Sequence, residues 1–308
     1  MNSNNRGGSW TPEVVLGFPE SRFHARGLAV ALGVTYVDVE IHVFPDGESR
    51  VRIADIDAIR SKRAALYRSL DTPNTKIIEL ILAASVLGAG AAPMLIAPYL
   101  PYMRQDKAFS AGEAVSQAVI GVLLAAHFGR FVSFDPHLHR TPDLGMVFAG
   151  KPAQTLSAAE AMAAYIGSEF PRGALLIGPD EESGPLVKKV ANLAGCDWSA
   201  ARKQRFDDRH VQVTLPDTVA LAHRTIVIID DVISSGHTIA AVATAAIAAG
   251  AGSIKVCATH ALYDAAAANV MAAAGVEHIA SSDSIPHPSN RFSILDTLAS
   301  SLKESHDG

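Results

Sequence analysis

The chain has 308 residues, a formal net charge of −5, 49 % apolar residues and 19 % charged residues, which is material for two cores of about 150 residues each and lacks the signature of disorder. No Lys/Arg cluster supplies the basic footprint of a nucleic-acid binder, so nucleic acid is not an expected partner. No run reaches the roughly 18 continuous apolar residues of a membrane helix, residues 1–9 lack the apolar core of a signal peptide, and Cys196 and Cys257 have no CxxC spacing; the expectation is a cytoplasmic protein with no membrane partner.

In chain order, strand-like runs at 93–97 (PMLIA), 131–134 (FVSF), 174–177 (ALLI) and 225–229 (TIVII) alternate with helix-like stretches at 74–88, 114–127, 158–169, 185–194 and 239–249. Short strands alternating with helices of ten or more residues indicate an α/β fold with mostly parallel sheets flanked by helices. Each of the four strand-like runs ends in a polar or turn-forming cluster: PYLPYMRQDK, DPHLH, GPDEES and DDVISSGHT. In open α/β sheets ligands bind outside the carboxyl ends of the strands, so the chemistry-bearing residues stand where an enzyme of this class keeps its site. A strand–Asp–turn–helix unit recurs around Asp135, Asp180 and Asp230. The recurrence predicts two similar halves joined near residues 150–152, an N-terminal domain over 10–150 and a C-terminal one over 151–308.

The stretch TIVIIDDVISSGHTIAAVATAAIAAGA is the most informative. A buried strand leads into two carboxylates, a short Ser/Gly/Thr loop and an Ala-rich helix. Ser234, Ser235 and Thr238 bring hydroxyls, Gly236 permits a tight turn, and the loop N–H groups with the helix N-terminus form an anion cradle. Asp230 and Asp231, expected at the strand end, are suited to accept from sugar hydroxyls. A phosphate cradle beside such carboxylates fits a sugar phosphate. GxxxxGK[ST] is absent, so this is not a Walker loop.

This stretch resembles the phosphoribosyl diphosphate loop of type I phosphoribosyltransferases and of ribose-phosphate diphosphokinases. The resemblance implies that Asp230 and Asp231 bind ribose and that Ser234, Ser235, Gly236, His237 and Thr238 hold the 5-phosphate. The kinases often have Asp where Ser234 stands and Gly where His237 stands.

Further segments resemble the diphosphokinases in that family's order. HVFPDGESRVRI at 42–53 is similar to their FxDGE segment, which implies an adenine pocket of Phe44, Asp46, Gly47 and Glu48 reaching into a neighbouring subunit. PDG between alternating residues is equally the signal of a hairpin turn. The segment at 74–107 is similar to a helix followed by PYxxYxRQDR, which implies ATP contacts from Arg104 and Gln105, with Lys107 replacing an Arg. SFDPHLH implies that His137 lies near the metal, and LLIGPDEES implies Asp180 as a magnesium ligand. His137 and His139 also spell an HxH pair, but no third zinc-ligand cluster follows from the spacing. ARKQRFDDRH is similar to the family's mobile catalytic loop, with Lys203 and Arg205 as the catalytic pair and Arg205 also facing ribose 5-phosphate. THALYDAAA and SSDSIPH are similar to THG and TDTI segments, and GEAVS at 112–116 is spelled as in archaeal-type members.

Together these imply two type I phosphoribosyltransferase-like domains and a Mg2+-dependent ribose-phosphate diphosphokinase acting on ATP and ribose 5-phosphate. They also imply a homo-oligomer whose active site is completed across subunits. A phosphoribosyltransferase and a non-catalytic, nucleotide-binding regulatory relative stand as alternatives.

Overall fold

Strands whose residues are buried on both faces organise the molecule: Val14–Gly17, Ala64–Tyr67 and Leu175–Gly178 are buried at every position, the pattern of parallel strands covered on both sides. The structure, a computed structural model, describes residues 10–88, 90–170, 173–205, 211–215 and 221–304, with the backbone alone for 202–205 and 211–213. The chain forms two compact units, residues 1–156 with 295–308, and residues 157–294.

The first unit runs β1 (Val14–Gly17), α1 (Arg22–Leu32), β2 (Thr35–Val43), β3 (Ser49–Ile53), α2 (Ile56–Ile59), β4 (Ala64–Tyr67), α3 (Pro73–Val86), β5 (Met94–Ile96), α4 (Ser116–His127), β6 (Arg130–Phe134), α5 (Leu144–Val147) and β7 (Ala153–Leu156). Its seven-stranded sheet has the order β3-β2-β1-β4-β5-β6-β7. All pairings are parallel except β2–β3, a hairpin in which Val43 faces Ser49. Val14, Leu16, Leu66, Leu80, Leu95 and Phe131 meet in its core. Helix α1 stops where Gly33, at φ 69°, turns left-handed and donates to Ala29 and Val30, and α3 starts on Pro73, whose missing N–H costs nothing in a first turn.

The second unit runs α6 (Ala159–Glu169), β8 (Leu175–Gly178), α7 (Gly184–Ala194), β9 (Asp197–Ala200), β10 (Arg202–Arg205), β11 (Val211–Thr214), β12 (Thr225–Ile233), α8 (His237–Ala248), β13 (Ser253–Ala261), α9 (Ala265–Ala273), β14 (Val276–Ser282) and β15 (Asn290–Phe292). Its six-stranded sheet has the order β15-β14-β13-β12-β8-β9, and β10 with β11 forms a separate antiparallel ribbon. Strand alternation shows in the packing of β12. Ile226 and Ile228 join Val242, Ala246 and Val256 on one face, while Val227 and Ile229 join Met162, Val187 and Cys257 on the other.

The strands and helices expected at 93–97, 131–134, 174–177 and 225–229 and between them are present as β5, β6, β8, β12, α3, α4, α6, α7 and α8. The units divide differently from the expected 10–150 and 151–308. β7 lies beyond the expected join yet pairs with β6, so the first sheet continues to Leu156. The final helix, α10 (Leu295–Glu304), returns to the first unit, burying Leu298, Ala299 and Leu302. Thr11 Oγ1 donates to the Leu302 carbonyl at 3.3 Å. Gly27 on α1 permits this approach, because a Cβ there would lie 2.9 Å from Leu295 Cδ2.

Candidate active site

Each sheet changes direction once. In the second unit the chain passes from β8 to β9 on one side and returns to place β12 on the other, so the switch point lies between β8 and β12. A ligand crevice is expected outside their carboxyl ends. Asp180 follows β8, and Asp230 and Asp231 lie on β12. The strand continues past these acids, with Val232 opposite His260 and Ile233 opposite Ala261. This corrects the expectation that Asp230 and Asp231 end the strand, and β13 supplies the pairing that extends it.

The three acids interact. Burial, followed by the charges of Asp231 and Asp180, pushes the Asp230 carboxyl well above the ordinary aspartate range. Asp230 Oδ1 also accepts from the Asp231 N–H at 3.0 Å. One oxygen of Asp180 accepts from Ser183 N at 3.0 Å, while Ser183 Oγ donates to the Asp180 carbonyl at 2.7 Å. Asp180 therefore also shapes the turn into α7. Crowded carboxylates at one crevice form an oxygen-donor set that suits a hard divalent cation or several hydroxyl donors.

The loop after β12 is open to ligand: Ser234, Ser235 and His237 are exposed, Thr238 is half-buried and Gly236 is buried. Gly236 precedes α8 at φ 73° and has no side chain to cap the helix. A Cβ at Gly236 would lie 2.9 Å from Met271 Cγ and 3.1 Å from the Ala267 carbonyl oxygen, so α9 backs the loop and glycine is required by both conformation and space. The first turn of α8 presents N–H groups and the positive end of the helix dipole, an arrangement suited to an anion.

Beside this loop, the two C-terminal segments singled out in the sequence come together. Ser282 Oγ and Ser284 Oγ donate to the Thr259 carbonyl at 2.6 and 2.8 Å, and Ser284 Oγ lies 2.8 Å from His260 Nδ1. Because the Ser284 proton is engaged by Thr259, His260 donates from Nδ1. This buried network locks the ends of β13 and β14 alongside β12. The resemblance marked the segments, but spacing alone gave no sign that they meet.

Lys203 and Arg205 occupy alternate positions of β10, with Lys203 opposite Val213 and Arg205 opposite Val211. The segment expected as a loop is thus one strand of a ribbon, since β11 supplies a hydrogen-bonding partner. The side chains of Lys203, Gln204 and Arg205, and residues 206–210, lie outside the described residues.

In the first unit, Phe44, Asp46, Gly47 and Glu48 form the turn of the β2–β3 hairpin, so the hairpin signal in the sequence is realised. Phe44 N donates to Glu48 O at 2.8 Å, Gly47 N to Phe44 O at 2.9 Å and Glu48 N to Asp46 Oδ1 at 3.1 Å. Phe44 is 39 % exposed, with the His42 ring edge-on at 4.8 Å. Arg104 and Gln105 follow β5; Arg104 is exposed, and Gln105 is held by α4, accepting from Ser116 Oγ at 2.9 Å and from the Gln117 N–H at 3.2 Å. Asp106 pairs with Arg140 at 2.7 Å, tying the loops after β5 and β6 together. The structure does not bring the hairpin and the Arg104 loop together within one chain. β2 and β5 are three strand positions apart, about 14 Å at the usual strand spacing. His137, after β6, stacks edge-on to His139 at 4.2 Å, and Asp135 before it adopts φ 34°, an uncommon backbone for a non-glycine residue.

The first unit's own switch point lies between β1 and β4 and went unnoticed in the sequence. Arg68, Glu20, Glu79, Lys76 and Asp71 form an ion-pair network there. A buried Arg, Lys and Glu within twelve residues of a strand was the available signal, but burial is not legible before folding.

A model of the N-terminal domain of ribose phosphate pyrophosphokinase matches residues 14–127, and a model of the phosphoribosyl transferase domain matches residues 152–282. The ribose-phosphate pyrophosphokinase of Methanopyrus kandleri is 30 % identical over 94 % of this chain and 98 % of its own length. Ribose-phosphate pyrophosphokinase 2 of Archaeoglobus fulgidus is 31 % identical over 92 % of this chain and 98 % of its own. The crystal structure of phosphoribosylpyrophosphate synthetase from Mycobacterium smegmatis shares the fold, with a TM-score of 0.81 at 24 % identity, covering 96 % of this chain and 99 % of that one. With both domain models in tandem and relatives aligned along nearly their whole length, the chain belongs to the ribose-phosphate pyrophosphokinase family.

Proposed function

We propose that the protein transfers the β,γ-diphosphate of ATP to the anomeric hydroxyl of ribose 5-phosphate, giving 5-phosphoribosyl 1-diphosphate and AMP. The observation that carries this reading at the site is the pairing, at one switch point, of interacting carboxylates with a glycine-turned helix N-terminus. A sugar phosphate needs both: hydroxyl acceptors at one end and an anion cradle at the other. The tandem of two domains, with FPDGE, RQDK and KQR preceding the loop, supports synthesis of the diphosphate over its consumption by a phosphoribosyltransferase.

In this reading Ser234, Ser235, Gly236, His237 and Thr238 hold the 5-phosphate. Asp230 and Asp231 accept from the ribose hydroxyls, and those donors relieve the crowding that raises Asp230. Phe44, Asp46, Gly47 and Glu48 receive adenine, and Arg104 and Gln105 the phosphates and base. The anomeric oxygen bonds to the β-phosphorus, the bond from that phosphorus to the α-phosphate oxygen breaks, and AMP leaves. Such transfers depend on positioning and charge neutralisation more than on covalent help. Lys203 and Arg205 neutralise the charge growing on the leaving oxygen, with Arg205 also facing the ribose phosphate. Asp180 and His137 are the residues that would hold Mg2+, which would supply charge neutralisation for the triphosphate.

We further infer at least a homodimer in which one subunit's hairpin completes another's nucleotide pocket. The separation of Phe44 from Arg104 along the sheet supports this. So does α4, whose exposed positions Ala118, Val119, Val122, Leu123 and Ala126 carry no charge, a face that a helix in water does not normally present. The two cysteines are free, which suits the cytoplasm, and among the described residues no helix is long and apolar enough to cross a membrane.

The deciding experiment measures AMP formation from Mg–ATP with and without ribose 5-phosphate. Ribose-5-phosphate-dependent AMP is the expected result. Binding of both ligands without AMP would reject the reading in favour of a regulatory relative.

A further inference from the structure

The hairpin that carries Phe44 sits at a sheet edge, where among the described residues β3 pairs only with β2. Its turn, residues 44–48, projects beyond the last ladder pair, Val43 with Ser49. The base of the ribbon is packed, with Val39 and Ile53 buried in the core and Ile41 and Val51 against it, so what remains to be held is the tip. The structure supplies that hold directly behind the turn. Ser49, the first residue of β3, donates from Oγ to Glu79 Oε1 on α3 at 2.7 Å.

Glu79 is itself fixed. Its second oxygen accepts from Arg68 Nη2 at 2.5 Å, and both side chains are only 4 % exposed. Arg68 is held in turn at every donor nitrogen: Nε donates to Glu20 Oε1 at 2.7 Å, and Nη1 to the Lys76 carbonyl at 3.1 Å. Its guanidinium lies 4.1 Å over the Phe18 ring. Lys76 closes the set by donating to Asp71 Oδ1 at 2.5 Å and to the Ser69 carbonyl at 3.0 Å. A carboxylate bound through both oxygens by fixed donors, out of water, is a stiff anchor. Only one of its partners, Ser49, belongs to the hairpin.

We propose that Glu79, clamped by Arg68, is a positioning residue for the nucleotide hairpin: the Ser49–Glu79 hydrogen bond sets the hairpin's placement and thereby the affinity for ATP. The proposal rests on the reading of residues 44–48 as the adenine pocket. It adds to that reading a coupling between the pocket and the ion-pair network at the first unit's switch point, through residues outside the proposed substrate contacts.

The test uses the full-length enzyme and compares Ser49→Ala, Ser49→Thr and Phe44→Ala. Ser49→Ala is expected to raise KM for ATP about tenfold or more, the order of losing one hydrogen bond to a charged group, with kcat and KM for ribose 5-phosphate nearly unchanged and Tm lowered by only about a few degrees. Ser49→Thr, which keeps the hydroxyl, restores the wild-type KM. Phe44→Ala raises KM for ATP by at least as much as Ser49→Ala. If Phe44→Ala raises KM while Ser49→Ala leaves it unchanged, the brace is overturned and the hairpin pocket stands. If neither variant moves KM for ATP, the hairpin pocket itself is wrong and the proposal falls with it. A rise in both Michaelis constants with a lowered Tm, not restored by Ser49→Thr, would reduce the bond to a structural role and also overturn the proposal.

Discussion

The two units use the same place in the sheet for opposite purposes. At the ends of β1 and β8, Gly17 pairs with Tyr67, and Ile177 pairs with Ile228 one residue before Gly178. The next positions along β4 and β12 make Arg68 the counterpart of Asp230. In the first unit that position holds a cation enclosed by its own carboxylates, so the crevice is filled from within. In the second it holds a carboxyl crowded by two more, on the strand that leads into the N-terminus of α8. Opposite charges in contact stabilise and position one another, whereas like charges crowded together are relieved by a cation or by hydroxyl donors. In the proposed function the carboxylates at the second switch point meet substrate and metal, and in the further proposal the ion pairs at the first serve placement of the hairpin.

The largest effects should separate these roles. Arg68→Met leaves Glu20 and Glu79 without their shared partner and is expected to destabilise the protein by about 3–5 kcal/mol in denaturant unfolding. Asp230→Asn removes one of the crowded charges and is expected to leave Tm unchanged or higher. The same change should lower ribose-5-phosphate-dependent turnover at least about 100-fold, on the order of 3 kcal/mol. If Asp230→Asn instead unfolds the protein while Arg68→Met is neutral, the comparison is inverted.

Lys203→Ala tests the ribbon that the second unit adds. A loss of at least about 100-fold in turnover, on the order of 3 kcal/mol, is expected with substrate binding largely kept, and unchanged turnover would remove Lys203 from the mechanism. A smaller effect belongs to the cradle. Gly236→Ala must adopt φ 73° and meet Met271, a cost of about 1–2 kcal/mol in stability. The accompanying rise in KM should fall on ribose 5-phosphate and spare ATP.

The subtlest contrast is in pH dependence. Although burial raises it, the Glu20 carboxyl is held below the glutamate value of 4.5 by the charge and hydrogen bond of Arg68. Its stabilisation is present above pH 4.5 and drains as the pH falls through the folded-state value. Asp230 behaves in the opposite sense. Its raised pKa means that the folded state binds the proton more tightly, so stability is lost as pH rises above 3.8 towards the folded-state value. Thermal melts of Glu20→Gln and Asp230→Asn against pH should therefore depart from wild type with slopes of opposite sign. Slopes of the same sign would show that the two crevices do not differ as described.

Much of the second unit's proposed site was legible because it is local. The carboxylates, the glycine and the hydroxyls of the cradle lie within nine consecutive residues, and the strand before them and helix after them follow from periodicity. The first unit's network was not legible: Arg68 meets Glu20 at 48 residues' separation and Ser49 meets Glu79 at 30. Arg68, Lys76 and Glu79 read as ordinary polar positions until packing removes the water around them.

The sequence by itself determined the α/β class, the order of the motifs and the place of the Ser/Gly/Thr loop between strand and helix, because periodicity, turn residues and spacing act over a few residues of chain. Only the tertiary structure decided that β12 runs past its acids, that α10 returns to the first unit, and that a serine behind the hairpin turn is bonded to a buried carboxylate. These features depend on which strands pair and which charges lose their water, and sheet pairing and desolvation bring together residues that no local pattern connects.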